Sequence, residues 1–220
     1  MDKREGLFDV DIREPLFMYL EERYGKVRIL EEKRTGSARA DVVMITPGLL
    51  YGIEIRSDAD TYVRLSKQVK NYDWYYDRNM LVVGSSHAKH ASEHVPAWWG
   101  ILSAEKREGG GVDFYVLREP GENPKVKPAR KIQILWRREL SHLQALFGLP
   151  RYPGKSKAFV QEALLSRVPE EDLWPAACEE LFERDYTTIE EEIEAYREKK
   201  GRGLAVLSGS RKPRKRGKRR

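Results

Sequence analysis

Two carboxylates interrupt apolar stretches between residues 38 and 56. Asp41 precedes the run VVMI, and Glu54 lies inside YGIEI. Strand interiors disfavour Asp and, less strongly, Glu, so each acid needs a specific reason to be there. If the flanking strands pair symmetrically about Pro47-Gly48, Asp41 lies directly opposite Glu54. Opposed like charges are destabilising unless a cation lies between them, and Mg²⁺ takes oxygen ligands of this kind.

Side-chain alternation adds a base to the two acids. Consecutive side chains of a strand point to opposite faces of the sheet, so Glu54 and Arg56 share one face. The opposite face carries apolar residues, namely Tyr51, Ile53 and Ile55. Asp41, Glu54 and Arg56 are therefore predicted to form one polar cluster.

A helix predicted after the second strand supplies two further polar groups. Its apolar stripe is spaced three and four residues apart and consists of Tyr62, Leu65, Val69, Tyr72 and Tyr76. This spacing is typical of a helix with one face packed on a core. Gln68 and Tyr72 lie one turn apart at the edge of the stripe, so we expect both side chains to reach the acidic pair.

These residues resemble the motifs of the PD-(D/E)XK nuclease superfamily, in its RecB-like branch. The matching positions are Asp41, Glu54-Ile55-Arg56 and the QVKNY segment from Gln68 to Tyr72. The flanking words RADVV, SDADTY, LVVG and CEELFERDY are similar to a small bacterial and phage family that resembles MmcB-like DNA repair proteins. The resemblance implies an α/β fold with a restriction-endonuclease-like core, a mixed β-sheet flanked by helices. It also implies Mg²⁺ or Mn²⁺ held by Asp41, Glu54 and the Ile55 carbonyl, beside catalytic Arg56, Gln68 and Tyr72.

Arg56 departs from the lysine of that pattern. Arginine stays protonated, so it cannot act as a general base, although it can bind phosphate or stabilise developing negative charge. A bound metal can itself generate the hydroxide nucleophile. Lys67 or Lys70 on the following helix could also stand in for the missing lysine.

An earlier helix is predicted over residues 10–24, ended by Gly25. Its core-facing residues are Ile12, Leu16, Tyr19 and Leu20. Many members of the superfamily carry a helical glutamate near the active site, and Glu14 matches that place. An acid near a helix start is also favoured by the helix dipole without any ligand, so both interpretations stand.

Three histidines follow the next predicted strand. His87, His90 and His94 have a spacing that suits a metal-binding face. Structural zinc normally needs four ligands, and no fourth is evident, which favours a polar helix face instead.

The chain divides by composition into four parts. We predict a nuclease-like core at residues 1–120, a Pro- and charge-rich linker at 121–131, a helical extension at 132–200 and a disordered basic tail at 201–220. A helix over residues 132–147 opens the extension.

Two segments beyond the linker could bind nucleic acid. The helix, GLP, Gly-Lys turn and second helix resemble a SAP-type DNA-binding module, which implies phosphate contacts from Arg151, Lys155 and Lys157; a plain helical hairpin packed on the core is the alternative. Residues 211–220 of the tail hold eight of the 41 basic residues and no acid, and the net charge of the whole chain is +6. Such tails are commonly nucleic-acid-binding arms, and a solvated end is the alternative. The tail residues expected to bind are Arg211, Lys212, Arg214, Lys215 and Arg216.

Composition restricts the class of protein. The 220-residue chain is 35% charged and has no apolar run of the roughly 20 residues that span a bilayer. It lacks an apolar signal segment, and its one cysteine, Cys178, excludes an internal disulfide. We therefore expect a cytoplasmic protein that has no membrane partner.

The leading hypothesis is a metal-dependent nuclease that hydrolyses DNA phosphodiester bonds in repair, recombination or phage biology. The alternative, suggested by Arg56, is a catalytically degenerate nuclease fold that binds DNA. A third interpretation, RNA binding through the tail, lacks a recognisable aromatic stacking motif.

Overall fold

A computed structural model describes residues 6–35 and 38–184 of the chain. Contacts divide the chain into two units, Met1–Phe182 and Glu183–Arg220. The fold described below is that of the first unit. The part of the predicted helical extension beyond residue 184 and the predicted basic tail lie outside the described residues.

The centre of the fold is one mixed six-stranded sheet in which spatial order equals chain order. Its strands are β1 (Arg28–Thr35), β2 (Ala38–Thr46), β3 (Leu49–Arg56), β4 (Arg78–Gly84), β5 (Gly100–Lys106) and β6 (Val112–Arg118). β1, β2 and β3 form an antiparallel meander, β4 and β5 continue parallel to β3, and β6 returns antiparallel. The predicted mixed sheet is confirmed.

Helices flank this sheet, as predicted. They are α1 (Asp9–Tyr24), α2 (Leu65–Tyr75), α3 (Ala91–His94), α4 (Pro128–Lys131), α5 (Arg137–Leu146), α6 (Lys157–Arg167) and α7 (Glu170–Phe182). α1 ends at Gly25, whose φ of 71° is the left-handed conformation that glycine tolerates best. None of the described helices is long and apolar enough to span a bilayer; the cytoplasmic location stays a prediction.

The alternation of β3 separates the main core from the candidate site. Tyr51, Ile53 and Ile55 belong to the buried cluster that also contains Ile12, Leu16 and Leu20 of α1. The other face of β3 packs on α2. A Cβ on Gly52 would lie 2.2 Å from the Tyr76 ring and 2.7 Å from the Tyr72 ring, so only glycine lets α2 approach this closely.

The segment predicted as a linker, residues 121–131, is fixed to the C-terminal end of α2. Asn123 is buried and donates through Nδ2 to the carbonyls of Asp73 and Tyr76, at 2.9 and 2.7 Å. Lys131 is also buried, and its Nζ lies 2.7 Å from Asp77 Oδ1. The division into core, linker and extension stays a prediction, but this connection is anchored by two buried residues, Asn123 and Lys131.

The single helix predicted over residues 132–147 is wrong. A short 3₁₀ turn at Ile132–Ile134 is followed by an extended Trp136, and α5 begins only at Arg137. The break is stabilised because Glu139 Oε2 accepts a hydrogen bond from the Trp136 backbone N–H at 2.7 Å, which caps the new helix.

Candidate active site

The β2–β3 hairpin brings the two predicted carboxylates together. Backbone pairing runs from Thr46–Leu49 at the turn to Val42–Ile53, which is the predicted register. Asp41 and Glu54 lie one position further from the turn than the last of these pairs. Asp41 Oδ2 accepts a hydrogen bond from the Ile55 backbone N–H at 3.0 Å, so its side chain reaches across to β3.

Glu54 is fully buried, accepts hydrogen bonds from two side chains and forms an ion pair with a third. Tyr72 donates its hydroxyl to Oε2 at 2.6 Å. Gln68 Nε2 donates to Oε1 at 2.5 Å, and Arg56 Nη2 lies 2.6 Å from the same oxygen. A buried carboxylate is costly unless it is compensated in this way.

Both carboxyl groups are harder to ionise than usual. Burial, together with the neighbouring Asp41, raises the pKa of Glu54 to about 8, while Arg56 and the Tyr72 hydroxyl act in the opposite direction. Burial also raises the pKa of Asp41, against the effects of the Ile55 N–H and of Arg56 and Arg13. One guanidinium therefore does not fully compensate the acidic pair.

The Arg56 guanidinium lies at the position that the resemblance assigns to a metal. Its Nη1 donates to the Ile55 carbonyl at 3.0 Å, and its Nη2 contacts both Glu54 and the Gln68 side-chain oxygen. The Nε atom is buried and has no hydrogen-bond partner in the described part of the chain. The side chain is 12% exposed, and Asp41 is also only partly buried, so the cluster reaches solvent.

Gln68 and Tyr72 reach the cluster from α2, as predicted. The Tyr72 hydroxyl also accepts from the Asp41 backbone N–H at 3.2 Å, which ties both acids to one phenol. Because Tyr72 is only 1% exposed, it orients the carboxylates from behind and has no free surface toward a substrate.

The structure does not bring Glu14 to the pair. Glu14 is exposed on α1, and no contact in the described residues joins it to either acid. The preceding residue does reach the site. Arg13 Nη1 lies 3.4 Å from the Asp41 carbonyl, and Arg13 Nε lies 2.6 Å from Asp9. Sequence reasoning missed Arg13, although its position next to Ile12, at the edge of the buried stripe, was an available signal.

The donor types at the cluster suit a hard divalent cation. Asp41, Glu54 and the Ile55 carbonyl present only oxygen, which Mg²⁺ and Mn²⁺ prefer. A bound cation would add positive charge next to Asp41 and Glu54, whose pKa values remain raised although Arg56 is nearby. The residues therefore fit the metal, provided that the guanidinium turns away from Glu54 Oε1 and the Ile55 oxygen. No group of three or more Asp, Glu, His or Cys suited to a metal occurs among residues 6–35 and 38–184.

The histidines form a polar surface. His94 stacks on Tyr62 with ring centroids 3.8 Å apart, and His90 Nδ1 lies 2.8 Å from Glu93. His87 meets the edge of the same Tyr62 ring. The three do not converge as a ligand set.

The predicted phosphate-binding residues lie on the turn that leads into α6. Arg151 and Lys155 are exposed, and Lys155 Nζ lies 5.2 Å from the centre of the Phe159 ring. Lys157 is half-buried and donates to the Gln133 carbonyl at 3.1 Å. The turn is held by Ser156, which caps α6 by accepting from the Phe159 N–H at 3.2 Å. Arg211, Lys212, Arg214, Lys215 and Arg216 lie outside the described residues.

Comparison with known proteins identifies the family. The family model described as bacteriophage P4 protein cII matches residues 17–205, and the chain therefore belongs to that family. A comparison with curated proteins gives no match.

One solved structure shows a weak likeness, the structure of Pyrococcus furiosus SfsA in complex with Ca²⁺. The identity is 16% and the TM-score is 0.31, over 53% of this chain and 62% of the SfsA chain. The chain thus matches less than two thirds of SfsA, and we draw no conclusion from a likeness at this level.

Proposed function

We propose that this protein is a metal-dependent nuclease that hydrolyses DNA phosphodiester bonds. The observation that carries the proposal is the pair formed by partly buried Asp41 and fully buried Glu54, beside the partly exposed cation of Arg56. Both acids have raised pKa values and hydrogen bonds that fix their orientation, as is common where carboxylates perform chemistry. Membership of a family named for a phage protein supports a role in phage biology.

The chain's own groups have separate tasks in this proposal. Asp41, Glu54 and the Ile55 carbonyl would hold Mg²⁺ or Mn²⁺. Tyr72 and Gln68 hold the Glu54 carboxylate in place through one hydrogen bond to each oxygen. Arg56, which is partly exposed, would turn outward and donate to a phosphate oxygen as negative charge develops there. A cation bound at these oxygens would polarise the phosphate and lower the pKa of an attacking water.

A second candidate function rests on the observed position of Arg56. Its guanidinium already contacts Glu54 Oε1 and the Ile55 carbonyl, two of the three expected metal ligands. If it stays there, it blocks the metal position, the cluster is a structural centre, and the protein binds DNA without cutting it. Binding would then survive both EDTA and the loss of Asp41.

One experiment separates the two candidates. The purified protein is incubated with single- and double-stranded DNA in Mg²⁺, Mn²⁺ or EDTA, beside Asp41→Asn and the control Glu105→Gln, an exposed carboxylate outside the cluster. The nuclease proposal predicts cutting that requires metal, is lost in Asp41→Asn and is retained in Glu105→Gln. DNA binding with no cutting in either metal supports the second candidate.

A further inference from the structure

The solvent-facing side of α2 carries a row of cations. Arg64, just before the helix, and Lys67 and Lys70 within it are all exposed and follow one another at intervals of three residues. Residues three apart on a helix are surface neighbours, with Cβ atoms about 5–6 Å apart. The one acid of α2, Asp73, is buried and accepts hydrogen bonds from Trp98 and Trp99. It therefore places no negative charge on this face.

The three cations are not compensated within the described part of the chain. None of Arg64, Lys67 and Lys70 forms an ion pair among residues 6–35 and 38–184. Other cations of the same fold do, for example Arg23 with Glu119 and Lys131 with Asp77. Like charges one turn apart on a helix are mildly destabilising, so an uncompensated row is better explained by an anion from outside.

The row continues to the last turn of the helix and onto the segment that packs against that turn. Trp74 lies one further turn along the same face and is 37% exposed. Lys127 Nζ lies 4.8 Å from the centre of the Trp74 ring, which places a fourth cation in line. The surface defined by Arg64, Lys67, Lys70, Trp74 and Lys127 is called the α2 row below.

The helix that carries the α2 row also contributes to the acidic cluster. Lys67 directly precedes Gln68, whose side chain bonds Glu54, so one helix presents cations to solvent and a polar ligand to the site. Arg64 lies one turn before Gln68, whose side chain also bonds the partly exposed Arg56, so we expect a charged polymer along this row to approach Arg56 at that end. Regular spacing and an aromatic surface at one end suit a nucleic acid strand, in which phosphates repeat and bases can stack.

We infer that the α2 row binds the phosphate backbone of a nucleic acid strand and guides it to Asp41 and Glu54. This inference rests on the proposed nuclease function, because it concerns the same polymer at the same site. Exposed cations that contact phosphates release condensed counterions, so each contact contributes to the salt dependence of binding.

The test measures binding of the full chain to labelled single- and double-stranded oligonucleotides in EDTA, over a series of salt concentrations. The double variant Lys67→Gln/Lys70→Gln is compared with wild type. The control is Lys26→Gln, an exposed lysine before β1, toward the opposite end of the strands from Arg56. The slope of log K against log salt should become shallower by about 0.9 per lost contact on duplex and about 0.7 on single strands. The control should retain the wild-type slope.

Two results would overturn the inference. The first is a slope that is equal in the double variant and in wild type. The second is binding to vesicles containing phosphatidylserine that depends on Lys67 and Lys70, with no such dependence on DNA. The proposed function fails separately. If the double variant has a shallower slope but the wild-type protein never cuts DNA, the result supports phosphate binding by the α2 row and argues against the nuclease. If the wild-type protein cuts DNA but the slope is unchanged in the double variant, the result supports the nuclease and argues against phosphate binding by the α2 row.

Discussion

Arg56 Nη2 lies 2.6 Å from Glu54 Oε1, on the face of β3 that packs against α2. The two residues are separated by one position in the chain, so strand alternation alone makes them neighbours. The same guanidinium bonds the Ile55 carbonyl, and it thereby competes for the oxygens that the proposed metal needs.

Replacing Arg56 by lysine should increase metal-dependent cleavage, by about tenfold if the competition costs about 1.4 kcal/mol. The lysine ammonium lacks the planar guanidinium with which arginine bonds Glu54 and the Ile55 carbonyl at the same time. It is also more strongly hydrated than a guanidinium. Initial cleavage rates over a Mn²⁺ series measure the effect. Arg56→Gln is the matched control, since it removes the charge as well. Slower cleavage by Arg56→Lys would show that the guanidinium group assists the reaction.

Tyr72→Phe should destabilise the fold by about 1–3 kcal/mol, because it leaves a buried Glu54 oxygen without its donor. Urea unfolding measures the loss. Tyr75→Phe is the control, since Tyr75 is also buried on α2 and its hydroxyl makes no hydrogen bond within the described residues. Equal effects in the two variants would mean that the Tyr72 hydroxyl does not support Glu54.

The stability of the metal-free protein should fall between about pH 6 and about pH 9. The pKa of Glu54 is about 8 in the folded chain, above its ordinary value of 4.5. The folded state therefore binds this proton more tightly than the unfolded state. The stabilisation is complete below the unfolded pKa and is lost as pH rises through the folded one.

Glu54→Gln isolates this contribution, because it cannot titrate. Relative to this variant, wild type should lose about 2–3 kcal/mol of unfolding free energy over that interval, at about 1.4 kcal/mol per pKa unit. Denaturant unfolding of both proteins in EDTA, at about pH 6 and at about pH 9, provides the measurement. Parallel pH profiles for the two proteins would disprove the raised pKa.

Gly52→Ala should destabilise the protein by about 1–3 kcal/mol, because its Cβ would overlap the buried Tyr76 and Tyr72 rings. Gly121→Ala is the control, since the nearest atom to its Cβ would be at an ordinary 3.5 Å. Thermal unfolding of the two variants should differ clearly. A Gly52→Ala protein as stable as the control would mean that α2 can move away from β3 at little cost.

The parts of the site that depend on local periodicity could be predicted from sequence. Alternation along β3 separates Glu54 and Arg56 from the apolar face, and the Pro47-Gly48 turn sets the β2–β3 register. The helical spacing of Gln68 and Tyr72 then brings both to the acids. Each of these relations involves neighbouring elements and short connections.

Other features of the site and the fold depend on tertiary contacts, which local sequence patterns do not predict. Arg13 and Glu14 are adjacent on α1, and only the docking angle of that helix decides which one reaches Asp41. The direction taken by the long Arg56 side chain depends on the Ile55 carbonyl and on Gln68. The helix break at Trp136 depends on a cap from Glu139 that the leucine periodicity of residues 132–147 conceals.

The most direct test of the central claim is the rate of DNA cleavage by wild type and Glu54→Gln, each with Mn²⁺, with Mg²⁺ and with EDTA. The amide of this variant is close in shape to the carboxylate but cannot supply its charge, so the fold should persist, as circular dichroism would verify. The account predicts metal-dependent cleavage by wild type and a loss of about 10²-fold or more in the variant. Cleavage by Glu54→Gln at the wild-type rate, or cleavage that EDTA leaves unchanged, would contradict it.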